Sequence, residues 1–220
     1  MDIRKRIGYS AKERQKERLE ERRKTELIIS NILGLRFEIH RGVYQTAKDT
    51  ELMAKVVSIN NSETFLEIGC GCGAVSIILS RNAKEGLGTD INPLSINNSK
   101  LNAAINQVSN VSFILGDLFE NVNNKYDVIL FNPPYSSFNA KDEIDRMFWD
   151  SENSSKIKFF KEVKKYLKPG GRVYFGSADF DELDKELPLK LAKENKLIVR
   201  NVYKQRVENR HYTYLVYEFM

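Results

Sequence analysis

The apolar positions of this chain change period along its length. From Ser10 to about Leu33 there is neither proline nor glycine, good helix formers dominate, and Glu13/Lys16 and Glu20/Lys24 stand at helical contact spacing. This predicts a helix whose first half carries little apolar surface besides Leu19. Leu27, Ile28, Ile29, Ile32 and Leu33 cluster at its end, so its C-terminal turns are expected to dock on the core. Asp49 opens a second helical pattern, with Leu52, Met53, Val56, Val57 and Ile59 as its apolar stripe. Beyond it, short apolar runs alternate with helical segments. Thr64 to Ile68, Gly86 to Thr89, Val111 to Leu115, Tyr126 to Phe131 and Arg172 to Gly176 read as strands in a βαβ succession, which implies a mostly parallel sheet. Lys196 to Val207 and His211 to Phe219 are β-branched and aromatic runs separated by three residues, which predicts an antiparallel C-terminal hairpin.

Composition narrows this picture to one α/β domain, residues 36–220, preceded by a basic helical extension over residues 1–35. An apolar fraction of 41% with 12 Phe and 10 Tyr in 220 residues supplies one sizeable core. The formal charge of +5 is unevenly placed. Residues 1–26 hold ten basic and six acidic side chains, or +4, which leaves +1 for the remainder. A phosphate-bearing partner would meet this arm first, and the arm reads either as a solvated helix or as a contact for RNA, DNA or the ribosome. No stretch approaches the roughly 18 to 20 apolar residues that span a bilayer, and the N-terminus is charged from Asp2 onward. Cys70 and Cys72 are too close for ordinary disulfide geometry and too few for a zinc site, so a reducing, cytoplasmic setting is expected. His40 and His211 have no triad or metal partner in the sequence pattern, and no metal is expected.

Candidate chemistry begins where the first parallel strand runs into Glu67-Ile68-Gly69-Cys70-Gly71-Cys72-Gly73 and the helix after it. Gly69, Gly71 and Gly73 allow backbone and ligand to approach closely. The spacing is G-x-G-x-G. A pyrophosphate facing a helix N-terminus calls instead for G-x-G-x-x-G. The Glu67 carboxylate would repel a pyrophosphate and suit a cationic amino acid, which favours S-adenosyl-L-methionine over a nicotinamide cofactor. Asp90 ends the second strand, where a carboxylate accepts from both ribose hydroxyls. Asp117, after the third strand, would accept from an adenine amino group while Leu118 or Ile91 covers the ring. Either aspartate alone reads as a turn or a helix cap. Together with the glycine turn they read as one cofactor site.

Phe131-Asn132-Pro133-Pro134-Tyr135 follows the fourth strand, at the sheet edge where open α/β folds bind ligands. Asn132 and the carbonyl of Pro133, free of ladder pairing, form a pair of acceptors for both hydrogens of a planar NH2 group, and Tyr135 is expected to stack on the system that carries it. The lone pair of such a nitrogen is delocalised, so two acceptors that pull on its N–H bonds and aim it supply positioning and electrostatic stabilisation in place of a strong base. Trp149, Phe138 and Phe148 line a substrate mouth or form a buried aromatic cluster.

With these motifs in place, residues 37 to 180 resemble the N-methyltransferases with an Asn-Pro-Pro-Tyr motif, which include adenine-N6 enzymes and the release-factor glutamine methyltransferases called HemK or PrmC. Val43-Tyr44-Gln45-Thr46-Ala47-Lys48-Asp49-Thr50 is similar to the V-Y-x-P-A-x-D-T stretch of their archaeal and eukaryotic branch, where that segment lines the cofactor pocket, with Thr46 in place of proline. Leu167-Lys168-Pro169-Gly170-Gly171 resembles a turn common in the wider class. The resemblance implies a Rossmann-like class I methyltransferase sheet, the transfer of a methyl group to a glutamine amide of a translation factor or to adenine N6 of RNA or DNA, and the small activator protein that the eukaryotic branch requires. Two features depart from the bacterial glutamine enzymes. Their helical substrate-binding domain has no counterpart here, and Met147-Phe148-Trp149-Asp150-Ser151-Glu152 replaces their glycine-rich stretch.

Overall fold

The computed structural model of the chain describes residues 11–179, 185–208 and 212–220, and the turn of the C-terminal hairpin and His211 lie outside the described residues. Five parallel strands, β3 (Thr64–Ile68), β4 (Glu85–Asp90), β5 (Val111–Leu115), β6 (Tyr126–Phe131) and β7 (Leu167–Ala178), join the antiparallel pair β8 (Val199–Arg206) and β9 (Thr213–Phe219). Their order is β5-β4-β3-β6-β7-β9-β8. The order reverses between β4-β3 and β6, and that reversal places a crevice beyond the carboxyl ends of β3 and β6. The predicted fold class and the final hairpin are those observed. Strand β7 begins earlier than Arg172 because Leu167 pairs with Tyr126 across an irregularity, inside which Gly170 takes φ +75°.

Both faces of the sheet are covered. Helices α2 (Lys48–Val56), α3 (Ala74–Leu79) and α4 (Pro93–Ile105) belong to the layer that buries Met53, Ile77 and Tyr174. On the other face α5 (Ser154–Tyr166) and α6 (Leu187–Glu194) enclose an aromatic core in which Phe131, Phe159, Phe160, Phe175 and Phe219 meet ring to ring. Among the described residues no helix is long and apolar enough to cross a membrane.

The N-terminal region differs from its expected form. Helix α1 (Ala11–Lys24) ends nine residues short of Leu33, and the apolar run forms strand β1 (Leu27–Ile32), paired antiparallel with β2 (Leu35–His40). The helix expected from Ser10 to about Leu33 is therefore corrected: its last part is half of a hairpin that crosses residue 35. Leu33 and Gly34 both have positive φ, +50° and +80°, as a two-residue hairpin turn requires. β-Branched residues at alternating exposure outweigh local helix propensity once a partner strand is available. The free edge of β2 is satisfied by asparagines one turn apart on α4: Asn102 Oδ1 accepts from Glu38 N at 2.8 Å and Asn98 Oδ1 from His40 N at 3.0 Å.

Helix α1 also docks along its length. Gln15, Leu19 and Arg22, four and three residues apart, form a buried face. Arg22 is 1% exposed and donates to the carbonyls of Val43, at 2.9 Å, and His40, at 2.5 Å. Such a cation is tolerated because backbone carbonyls replace its hydration.

Candidate active site

A cavity opens where β3, β4 and β6 end, and it gathers nearly every site residue read from the sequence. Gly69, Gly71 and Gly73 all adopt positive φ, and the three play different parts. A Cβ built at Gly71 would meet nothing within 4 Å, so this peptide shows bare backbone to the cavity, as a close-lying ligand requires. At Gly69 it would lie 3.4 Å from the Phe131 ring. Gly73 stands apart from the other two, outside the cavity lining. It is the N-cap of α3, where a Cβ would stand 2.9 Å from Ser99 Cβ, so its role is the close packing of α3 against α4.

Three carboxylates flank this turn. Asp90 accepts from Gly71 N at 2.8 Å and Asn92 N at 2.9 Å, which fixes its orientation at the end of β4 and leaves lone pairs for a diol. Burial pushes its pKa up to about 6, against the lowering effect of those bonds. Glu67, 4% exposed, accepts from the backbone N of Ser76 at 2.8 Å and from the Ser76 hydroxyl through one oxygen, Oε2. Burial raises it to about 8 because Ser76 offsets only part of the desolvation and Asp90 repels the charge. A cationic group would restore the ionised form. Asp117 stands at the rim, paired with Lys158 of α5 at 3.0 Å, while Leu118 at φ +57° and Ile91 add apolar wall. An open glycine peptide, a diol acceptor and a buried carboxylate that needs a cation match an adenosyl amino acid in kind.

Across the cavity, the β3–β6 ladder ends at Phe131 and releases Asn132 and Pro133 from the sheet. Both line the cavity, as does Tyr135. The Asn132 amide is held at both ends: Tyr135 Oη donates to its Oδ1 at 2.7 Å, and its Nδ2 donates to Asp49 Oδ2 at 3.2 Å. The Tyr135 hydroxyl also lies 3.2 Å from Asp49 Oδ2, and burial keeps its pKa well above the usual phenol value, so it remains a donor. The hydroxyl thus ties Asn132 to α2, a role additional to the stacking expected of the Tyr135 ring. Asn132 lies against Gly176 of β7, where any Cβ would fall 2.1 Å from its Oδ1.

The roof comes from far away in sequence. After Tyr135 the chain loops out and returns in a parallel bridge of Ser136 with Trp149, and Asp150 N donates to Ser136 O at 2.8 Å. Phe148 and Trp149 pack with Leu19 of α1 in a buried cluster, and both also line the cavity. Arg23 Nη2 pairs with Asp142 and Asp145, each at 2.7 Å, and the Arg18 guanidinium lies over the rings of Tyr44 at 5.7 Å and Phe148 at 5.2 Å. Gln15 reaches the cavity wall.

Sequence reading missed Asp49, Gly176 and Gln15 as site residues. Asp49 was visible only inside the Val43 to Thr50 stretch. Gly176 carried the general signal of a glycine inside a strand, which marks a close approach. Gln15 lay in a segment whose charge pattern suggested solvent.

A family model described as a methyltransferase domain matches residues 59–219. A relative from Methanocaldococcus jannaschii, named for protein N5-glutamine methyltransferase activity, is 41% identical over 154 residues, which cover 66% of this chain and 77% of that one. A release factor glutamine methyltransferase from Fusobacterium nucleatum is 32% identical over 164 residues, covering 64% of this chain and 46% of its own length, so the chain spans less than half of that relative. Among solved structures, Methanocaldococcus jannaschii TYW2 in complex with AdoMet aligns with a TM-score of 0.61 at 18% identity, covering 89% of this chain and 86% of that one, a likeness of fold.

Proposed function

The chain belongs to the methyltransferase-domain family and is an S-adenosylmethionine-dependent methyltransferase of the HemK/PrmC kind, and from that premise we propose that it methylates the side-chain amide nitrogen of a glutamine in a protein substrate, a translation factor of the release-factor type. The observation that carries this reading is the Asn132 amide, pinned by Tyr135 and Asp49 at the end of β6. A carbonyl oxygen has two lone pairs, and Tyr135 takes one. The other, with the carbonyl of Pro133, accepts the two hydrogens of an incoming primary amide.

When bound, the cofactor would supply an electrophilic methyl group on a sulfonium, and the acceptor nitrogen that takes it would shed one proton to solvent. The protein contributes placement. Asp90 would bind the ribose, Glu67 the charged amino-acid end, Gly69 and Gly71 the close approach, and Asp117, Leu118 and Ile91 the base. Asn132 and Pro133 polarise the N–H bonds and aim the lone pair, so that no strong base is required. The names of the archaeal and bacterial relatives support the amide over other planar amines.

Adenine-N6 methylation of nucleic acid has less support, because Arg22 and Arg23, part of the basic arm that suggested it, are engaged in internal contacts. Incubation with radiolabelled cofactor and a cell extract separates the two readings. Label is expected in a protease-sensitive fraction, with mass spectrometry placing the methyl on a glutamine. Label released by nuclease would overturn the proposal.

A further inference from the structure

Asn132 can serve as an acceptor only if its oxygen, and not its NH2, faces the substrate nitrogen. The two ends of a primary amide are almost the same size, so packing alone discriminates poorly between the two orientations. Hydrogen bonding discriminates sharply, because one end only accepts and the other only donates. Asp49 is 4% exposed and its Oδ2 accepts from Tyr44 Oη at 3.0 Å and Asn132 Nδ2 at 3.2 Å, with the Tyr135 hydroxyl 3.2 Å away.

We infer that Asp49 is a positioning residue, which holds the Asn132 amide oxygen-first towards the acceptor nitrogen. An ionised carboxylate offers no hydrogen, so an Asn132 turned the other way would set its oxygen against the Asp49 oxygen and leave Nδ2 without that partner. The Asp49 contact penalises the flipped amide. Asp49 comes from α2, and Tyr44, which donates to it, from the segment after the β1–β2 hairpin, so the orientation is set by elements remote from the loop that carries Asn132. The inference rests on the reading that Asn132 receives an N–H of the substrate, and it adds a requirement for one particular charged neighbour.

Asp49→Asn tests it at constant shape. The replacement amide both donates and accepts, so it tolerates either orientation of Asn132. On a glutamine-containing peptide, kcat is expected to fall about 10- to 100-fold with KM and the affinity for S-adenosylhomocysteine unchanged, as for a loss confined to transition-state placement. In Asn132→Ala the Asp49→Asn change should cost nothing more, because Asp49 acts through the group already removed. A purely structural role would instead multiply the two losses.

An independent measurement needs no substrate. The side-chain NH2 resonances of Asn132, assigned by their disappearance in Asn132→Ala, should move and lose exchange protection in Asp49→Asn. Should Asp49→Asn fail to fold, Asp49→Ser carries the same measurement, since its shorter side chain stops short of Asn132. Unchanged NH2 resonances, or multiplied losses in the double variant, overturn the inference. A parent enzyme that ignores glutamine peptides while the resonances respond as expected would refute the substrate assignment and leave the Asp49 role standing.

Discussion

The two halves of the cavity are built in different ways. The half proposed for the cofactor is local: Glu67 through Gly71 form one uninterrupted segment, and Asp90 and Asp117 come at or just after the ends of the next two strands, β4 and β5, hydrogen-bonded to adjacent backbone or a surface lysine. The acceptor half is assembled from afar. Asn132 is held by Asp49, 83 residues earlier, and fits over Gly176 on β7, while its roof joins Leu19 to Phe148 and Trp149. A shared cofactor chemistry favours a compact signature, whereas an acceptor site is shaped by whatever elements the fold brings to its rim.

Changes to the acceptor half should therefore lower the rate and spare cofactor binding. The largest effect is expected for Asn132→Ala. Turnover should fall by about 100-fold or more, the usual scale for one preorganised electrostatic partner, with calorimetric affinity for S-adenosylhomocysteine nearly intact. Gly176→Ala should approach the same loss from the opposite strand, because its methyl would occupy the space 2.1 Å from Asn132 Oδ1 and displace the amide. A Gly176→Ala enzyme with parental kcat would show that Asn132 need not lie on β7.

Next come two changes of similar size and opposite character. Asp90→Ala should weaken cofactor binding by about 1 to 3 kcal/mol through the loss of charge-assisted hydrogen bonds to the ribose, with no selective effect on the acceptor. An unaltered affinity would reduce Asp90 to a turn-former for Gly71 and Asn92. Leu19→Ala should destabilise the protein by roughly 2 to 3 kcal/mol, the lower part of the range for a buried leucine, as read from denaturant midpoints. Loss of less than about 0.5 kcal/mol would mean that α1 is held by its arginines alone.

The smallest effect concerns pH. Glu67 has a folded-state pKa of about 8, above its ordinary 4.5, so the empty folded protein binds a proton that the unfolded chain has released. Its contribution to stability therefore declines as pH rises from about 4.5 through about 8. Cofactor binding runs the other way: the ionised carboxylate suits a cation, so affinity should rise through the same upper limb. Glu67→Gln should flatten both dependences, giving a melting temperature that gains more at pH 9 than at pH 5. A parental pH response in Glu67→Gln would place the titrating group elsewhere.

What the sequence determined by itself follows from short-range physics. Alternating strand and helix periods specified the parallel sheet and the paired aromatic runs at the C-terminus specified the hairpin, because each is written in contiguous segments of the chain, and the glycine spacing with the carboxylates of Glu67 and Asp90 marked the residues proposed for the cofactor. Only the tertiary structure decided the rest. Leu27 to Ile32 has helix formers before it and no breaker inside it, and became a strand because β2, itself held by the asparagines of α4, offered it an edge. Gly73 stands two residues after Gly71 in the same turn, yet it caps α3 where an added Cβ would lie 2.9 Å from Ser99 Cβ, outside the cavity lining. Arg22 reads as a solvent-facing position of a charged helix, and was buried because the carbonyls of His40 and Val43 converge on it from segments more than fifteen residues away. Charge and periodicity describe a side chain's preference, but the partner that satisfies it is chosen by the fold.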